Sequence, residues 1–400
     1  MTTILCLASH FKGVRLLETL KGLGCRVLLI TRPKLADEPW PMHVIDERFL
    51  LPDLGTNTET LHAVSYLART RKIDRIIAMD EYDTPVGAML REHLRIPGMG
   101  ETTVRYFRDK LAMRVRALEA GFHVPDFIHV LNYDDLRYYL AHVSPPWVLK
   151  PRSEASAMGI RKLTSSQAFW RALDGLGDKQ SFFLLEQFVP GDVYHVDSLV
   201  WDRAPVFTAV SKYGQPPMSV YQGGGVFATR TVDYKSPTWK TLEGLNRKLI
   251  EAFGMVRGVT HGEFIHSHAD GQFYFLEIAA RVGGANIDLM IEHATGVNLW
   301  GEWAKLEVAE ARQQPYTPPK ARRQHAGILT CLSRETFPDL SSYDAPEVAW
   351  RLHKEHHAGL IVASAQPQRV EELLAHYGDR LVREHMASAP PKQSAEEMDA

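Results

Sequence analysis

The chain has 400 residues, 45% of them hydrophobic and 24% charged, with a formal net charge of -2. That length exceeds what one hydrophobic core usually serves, so two or three packed domains of ordinary globular composition are expected, not a disordered or fibrous chain. The near-neutral balance provides no global field to draw the protein to nucleic acid or anionic lipid, and no apolar run approaches the length of a spanning helix, so the expected partners are small molecules.

Met1 to Leu7 carries no basic leader and no cleavage pattern and reads as a first strand, which predicts a cytoplasmic protein. Strands Ile4–Ala8, Arg26–Ile30 and Arg75–Met79 alternate with helices Val14–Leu23, Thr58–Arg71 and Pro85–Leu94. Such alternation implies a parallel sheet with right-handed crossovers, a Rossmann-like domain over residues 1–100. Its first turn, Ser9 to Gly13, lacks the glycines of a G-x-G-x-x-G fingerprint, which argues against NAD or FAD. Asp80-Glu81-Tyr82-Asp83 follows the third of these strands, at the carboxyl end where parallel sheets place ligand contacts. Glu81 is therefore a candidate for substrate binding, with helix capping as the competing reading of this acidic group.

A helix over Thr103–Ala120, ended by Gly121, marks a domain boundary. Strands Trp147–Lys150, Phe182–Gln187, Tyr194–Trp201, Pro205–Ser211, Gly262–His268 and Phe273–Ile278 dominate the α+β region that follows, residues 101–312. Beyond the proline-rich linker Pro315–Pro319 lie strands Gly327–Leu332 and Gly359–Ser364 and helix Pro367–Tyr377, a small α/β C-terminal cap over 313–385. The tail 386–400 is small, polar and proline-bearing and is expected to be disordered. Cys6, Cys25 and Cys331 are widely spaced in apolar runs and share no ligand spacing, so they read as buried, reduced thiols.

The segment Gly262 to Arg281 carries the most chemistry. Period-two alternation on both arms, turning at Ala269-Asp-Gly271, makes a hairpin that projects Glu263 and Glu277 to one face. Two facing carboxylates repel unless a divalent cation lies between them, and magnesium is the hard-oxygen choice; a solvated face is the competing reading. Arg281, followed by Val282, Gly283 and Gly284, offers a fixed cation with room for close backbone approach, or else a structural salt bridge. Lys150 ends an apolar strand before the small-residue loop Ser153–Gly159, an arrangement like a phosphate cradle although the P-loop spacing is absent. Lys110 opens a helix after Asp109, and the strand Phe183–Val189, closed by Pro190-Gly191, exposes backbone groups that can read an adenine.

Taken in this order, these features resemble the ATP-grasp superfamily over nearly the whole chain to about Leu306, with the amino-acid and dipeptide ligases closest and biotin carboxylase and carbamoyl-phosphate synthetase more distant. The resemblance makes 101–312 the ATP-grasp domain. It implies that Lys110 and Lys150 hold the ATP phosphates, that Ser153, Ser156 and Gly159 belong to a mobile loop over them, and that Glu186, Gln187, Phe188 and Val189 form the adenine hinge. Glu263 and Glu277 would bind magnesium, or manganese in its place, and Arg281 would stabilise an acyl phosphate with Lys150 beside it. Two positions depart from the pattern. Ala279 stands where many relatives carry asparagine, and Gly191-Asp-Val193 replaces G-x-E, which leaves Asp192 or Asp197 for the ribose.

Around this frame His195, His261, His266 and His268 cluster without a cysteine, which argues against zinc; His195 is a substrate candidate or a packed histidine. Lys212 and Arg230, bordering a glycine-rich loop over Gln215–Arg230, are further substrate candidates, with solvated charge as the alternative. The implied activity is that of an ATP-dependent carboxylate–amine ligase, acting on small-molecule acids and amines as a homodimer. A bicarbonate-activating carboxylase is the nearest rival, although no biotin-attachment Met-Lys-Met occurs; a non-catalytic ATP-binding regulator, favoured by Ala279, is the other.

Overall fold

The computed structural model describes residues 1–155 and 157–387; Ser156 and residues 388–400, most of the expected disordered tail, lie outside it. Among the described residues no helix is long and apolar enough to cross a membrane. The fold is a mixed α/β arrangement of three sheets.

The first sheet takes β1 (Thr3–Ala8), β2 (Arg26–Thr31), β3 (Glu47–Leu50) and β4 (Arg75–Ala78) in the order β3-β2-β1-β4, all parallel. Every residue of β1 is buried, because helices cover both faces, as parallel sheets require. Ile4, Cys6 and Ala8 pack on the side of α1 (Val14–Gly22), while Leu5 and Leu7 pack with α2 (Thr58–Ala68) and α3 (Thr84–Leu94). The predicted helix over 103–120 is broken into α4 (Glu101–Val104), a 3₁₀ turn and α5 (Lys110–Glu119). Asp109 causes the restart: its carboxylate accepts from the backbone N–H groups of Leu111 at 3.0 Å and Ala112 at 3.4 Å, an N-cap that fixes Lys110 as the first helical residue.

The second sheet pairs β5 (Phe127–His129), β6 (Trp147–Pro151), β7 (Arg161–Leu163) and β8 (Phe183–Gln187) antiparallel in the order β5-β8-β6-β7. Alternation along β6 sends Trp147 and Leu149 into a core shared with α6 (Tyr133–His142) and α7 (Ser166–Asp174), and turns Val148 and Lys150 to the opposite face.

The third sheet has eight strands: β9 (Gly191–Trp201), β10 (Ala204–Tyr213), β11 (Phe227–Thr231), β12 (Gly258–Ser267), β13 (Phe273–Ala279), β14 (His325–Leu332), β15 (Val348–Arg351) and β16 (His357–Ser364), in the order β13-β12-β9-β10-β11-β14-β16-β15. Its helices are α8 (Pro217–Gly223), α9 (Pro237–Phe253), α10 (Ile287–Thr295), α11 (Leu299–Ala311) and α12 (Pro367–Glu384). The sequence reading of 215–230 as one loop is corrected: α8 lies inside it and β11 begins within it. The run Gln222–Gly225 disguises β11, a strand of five residues held by pairing with β10 on one side and β14 on the other. Through that β11–β14 pairing the strands of the expected C-terminal cap extend the central sheet.

One core joins the first sheet to the third. Leu16, Leu17 and Leu20 of α1 pack in a cluster with Leu299, Trp300 and Trp303 of α11 and with Leu199 and Val259 of the central sheet. Beneath it, Arg75 of β4 and Glu307 of α11, both almost fully buried, pair at 2.6 Å.

Candidate functional site

A cavity of about 480 Å³ lies between the second and third sheets. In the hairpin of β12 and β13, Glu263 stands directly opposite Glu277, so both carboxylates leave the same face of the sheet. Both line the cavity, together with Lys110, Lys150 and Arg281. Five charged residues separated by up to 171 positions in sequence thus meet at one end of one cavity.

Each is held by a partner. Lys110, fixed by the α5 cap, places its ammonium 3.1 Å from Glu277 and donates to the backbone oxygen of Glu154 at 2.6 Å. Lys150 pairs with Glu186, whose second oxygen accepts from Arg114 at 3.0 Å, a triad with almost no solvent exposure. Burial and the neighbouring Arg114 outweigh Glu186 and draw the Lys150 pKa down to about 8. For Glu277, burial and Glu81 push the carboxyl up, but Lys110 and Lys150 more than offset them and hold it below the ordinary value. Arg281 donates from Nε at 3.1 Å and Nη2 at 3.0 Å to one oxygen of Glu81, and Arg108 binds the other at 3.1 Å. Burial opposes the Arg281 charge, yet Glu81 and Asp80 raise its pKa above the ordinary value.

Behind Glu263 runs a buried relay that the sequence does not announce. The Tyr213 hydroxyl donates to Glu263 at 2.7 Å, and Nε2 of His261 lies 3.5 Å from the same oxygen. The other His261 nitrogen meets Asp197 at 2.8 Å, and Asp197 also bonds His195 at 2.7 Å, which in turn reaches the Thr229 hydroxyl at 2.8 Å. Burial lowers the His261 pKa, but Asp197 and Glu263 overcome it and raise it to about 9, so this imidazole is cationic near neutral pH. The sequence signals for this chain are the i, i+2 spacings of His195 with Asp197 and of His261 with Glu263.

The hinge Glu186, Gln187, Phe188 and Val189 lines the cavity opposite Val193 and Ile265. Lys162 lies over the Phe188 ring at 3.6 Å. Of the loop 153–159, Glu154, Ala157 and Met158 line the cavity and Ser153 is exposed. Gly159 takes φ 67°, which favours glycine, and Ser156 is not described.

Several expected ligand contacts are corrected. Asp197 is completely buried between two histidines and does not line the cavity, and Asp192 pairs with Lys212 at 2.7 Å, so neither is placed at the cavity wall for a ribose. His195 is sealed with no exposure beside the Tyr213 ring, at 4.7 Å between centroids. Lys212 and Arg230 fail for a common reason: strand alternation sends Tyr213, Phe227 and Thr229 to the cavity face and their neighbours to the other. Arg230 accordingly pairs with Glu371 of α12 at 2.8 Å, in a separate depression. Glu81 has both oxygens taken by arginines and does not line the cavity. Gly284 lines it, whereas Gly283 is needed for packing: a Cβ there would lie 2.9 Å from Asp197 and 3.0 Å from His261. Asp83, at the N-cap position of α3, turns its carboxylate to the Ser9 backbone instead of capping, and burial, with Asp80 nearby, raises its pKa to about 6.

The donor set fits a hard divalent cation: two carboxylates directly opposite on a hairpin, with lysines close enough to share an anionic ligand. Ala279, opposite His261 on the same hairpin, adds no oxygen. Cys6, Cys25 and Cys331 are free, buried thiols away from this wall.

No family model matches the chain. It is 26% identical over 283 residues to an L-arginine-specific L-amino acid ligase of Bacillus subtilis, covering 68% of this chain and 67% of the relative. A D-alanine–D-alanine ligase of Laribacter hongkongensis is 26% identical over 239 residues, covering 58% of this chain and 76% of the relative. Among solved structures, an L-amino acid ligase from Bacillus licheniformis superposes with a TM-score of 0.76 at 17% identity, covering 96% of this chain and 98% of that one.

Proposed function

We propose that this chain, whose fold is that of the ATP-grasp superfamily, is an ATP-dependent carboxylate–amine ligase that forms an amide or peptide bond through an acyl phosphate. The observation that carries the reading is the convergence of Glu263, Glu277, Lys110, Lys150 and Arg281 on one cavity, beside a hinge able to present backbone groups to an adenine. Its divisions would be a Rossmann-like domain over 1–100, an ATP-grasp domain over 101–312 and a C-terminal portion over 313–385.

In this reading Glu263 and Glu277 would hold magnesium, which would supply positive charge to neutralise the triphosphate. Lys110 and Lys150 bind the phosphates, and the hinge 186–189 reads the adenine. A carboxylate oxygen of the acid attacks the γ-phosphorus in line, and ADP leaves with the bridging oxygen. The amine nitrogen then attacks the acyl carbon and loses a proton, and phosphate departs with the electrons of its C–O bond. Arg281, held by Glu81, would stabilise the negative charge that develops on the acyl phosphate. The substrates are a small acid and a small amine, and a homodimer in the cytoplasm is the working arrangement.

The test is phosphate release from Mg-ATP across pairs of amino acids and small acids, with Glu277→Gln as control. Release confined to acid-plus-amine pairs and abolished in the variant supports the ligase; release driven by bicarbonate alone favours a carboxylase. ATP binding with no release in any pair leaves a regulator.

A further inference from the structure

The cavity has two chemically different ends. Its charged end lies at β12 and β13, at one edge of the eight-stranded sheet. Passing from β12 across β9 to β10, β11 and β14, a distance of two to four strand spacings or roughly 9–19 Å, the same face changes character. There the walls are Tyr213, Phe227 and Thr330, with Met218 from α8 above and Ile287 at the start of α10 beside them. Tyr213 and Phe227 meet edge to face at 5.8 Å, and Phe227 stands directly opposite Thr330 across β11 and β14.

Among the described residues, the acidic side chains that line the cavity are Glu154, Glu186, Glu263 and Glu277. All belong to the charged end and are engaged: Glu154 by the Tyr82 hydroxyl at 2.9 Å, Glu186 by Lys150 and Arg114, Glu263 by Tyr213 and Glu277 by Lys110. The cation nearest the other end, His261, lies 3.4 Å from the Tyr213 hydroxyl and is already engaged by Asp197 at 2.8 Å and Glu263 at 3.5 Å, while Lys212 and Arg230 point away on the opposite face and are paired with Asp192 and Glu371. A charged group buried against this wall would lose its hydration and gain no counterion. An apolar one would replace water on aromatic and aliphatic surface.

We infer that the acid phosphorylated here is an amino acid with an apolar side chain, seated against Tyr213, Phe227, Ile287 and Met218, and that Phe227 sets its preferred size. The assignment rests on the ligase reading. It follows from continuity: the Tyr213 hydroxyl touches Glu263, so an acid whose carboxylate reaches the charged end lays its side chain along the apolar wall.

The experiment offers the purified enzyme Mg-ATP and each amino acid in turn as acid, against a common panel of amines, reading phosphate release and identifying by mass spectrometry which residue supplies the acyl group. Leucine, methionine or phenylalanine as acyl donor should exceed arginine, lysine, aspartate and glutamate by at least about tenfold in kcat/KM. Phe227→Ala should shift the ranking toward larger apolar acids and Phe227→Trp toward smaller ones. A charged amino acid as best acyl donor overturns the inference and leaves the ligase reading standing. An unchanged ranking in both Phe227 variants overturns it equally, and phosphate release from no pair removes both.

Discussion

Lys150 is desolvated behind Glu186, and its pKa of about 8 places its loss of charge within an accessible pH range. A lysine with a depressed pKa is cationic below that value and neutral above it. If it holds a phosphate, the KM for ATP should rise as pH passes upward through about 8. Lys150→Arg, which keeps its charge, should flatten that rise; a flat profile in the native enzyme contradicts the role. His261 gives a second pH test, in stability. Its pKa is raised to about 9 by Asp197 and Glu263 against burial, so the stabilisation is complete below the ordinary histidine value of 6.5 and lost as pH rises through about 9. The urea midpoint should fall over that window in the native protein and remain flatter in His261→Gln. At this scale the sequence pointed to five residues that line one cavity: alternation on the two hairpin arms put Glu263 and Glu277 on one face, while Lys110 opens a helix and Lys150 and Arg281 stand at or just beyond strand ends. Lys212 and Arg230 point away from the cavity because side-chain direction depends on strand register, and a five-residue strand hidden behind glycines leaves that register unread, whereas Asp197 shares the cavity face but is sealed between His195 and His261.

Helix α5 shows how a local cap positions a distant chemistry. Asp109 caps the helix, pairs with Arg152 at 3.0 Å and so ties Lys110 to the loop after β6, where the Lys110 N–H also bonds the Arg152 oxygen at 2.8 Å. Asp109→Ala should lower stability by about 1–2 kcal/mol, the cost of a lost cap, and should also raise the KM for ATP. An unchanged KM with lowered stability would detach Lys110 from nucleotide binding. Long periodic elements such as α1, β1, β9 and β12 were readable to within a few residues. The short strands β3, β7, β11 and β15 were not, since three to five residues carry too little period and gain their order from neighbours in the sheet.

Among the described residues, two buried ionic joints connect the N-terminal sheet to the rest. Glu81 ties the end of that sheet to Arg108 and Arg281, and Arg75 meets Glu307 with both side chains less than a tenth exposed. Removing one partner of such a pair strands the other charge, so Glu307→Ala should destabilise the protein by about 3–5 kcal/mol, read from the denaturant midpoint. The Arg75–Glu307 joint was not legible in the sequence, because 232 positions separate the two residues and nothing local marks either one. The proposed chemistry depends on the hairpin glutamates sharing one divalent cation with a nucleotide. The direct measurement is electron paramagnetic resonance of Mn²⁺ titrated into the protein with ADP present, comparing the native chain with the Glu263→Gln, Glu277→Gln double variant. The native protein should retain nucleotide-dependent bound Mn²⁺ and the double variant should lose it by at least about tenfold in affinity; equal retention by both would contradict the metal site and the ligase chemistry built on it.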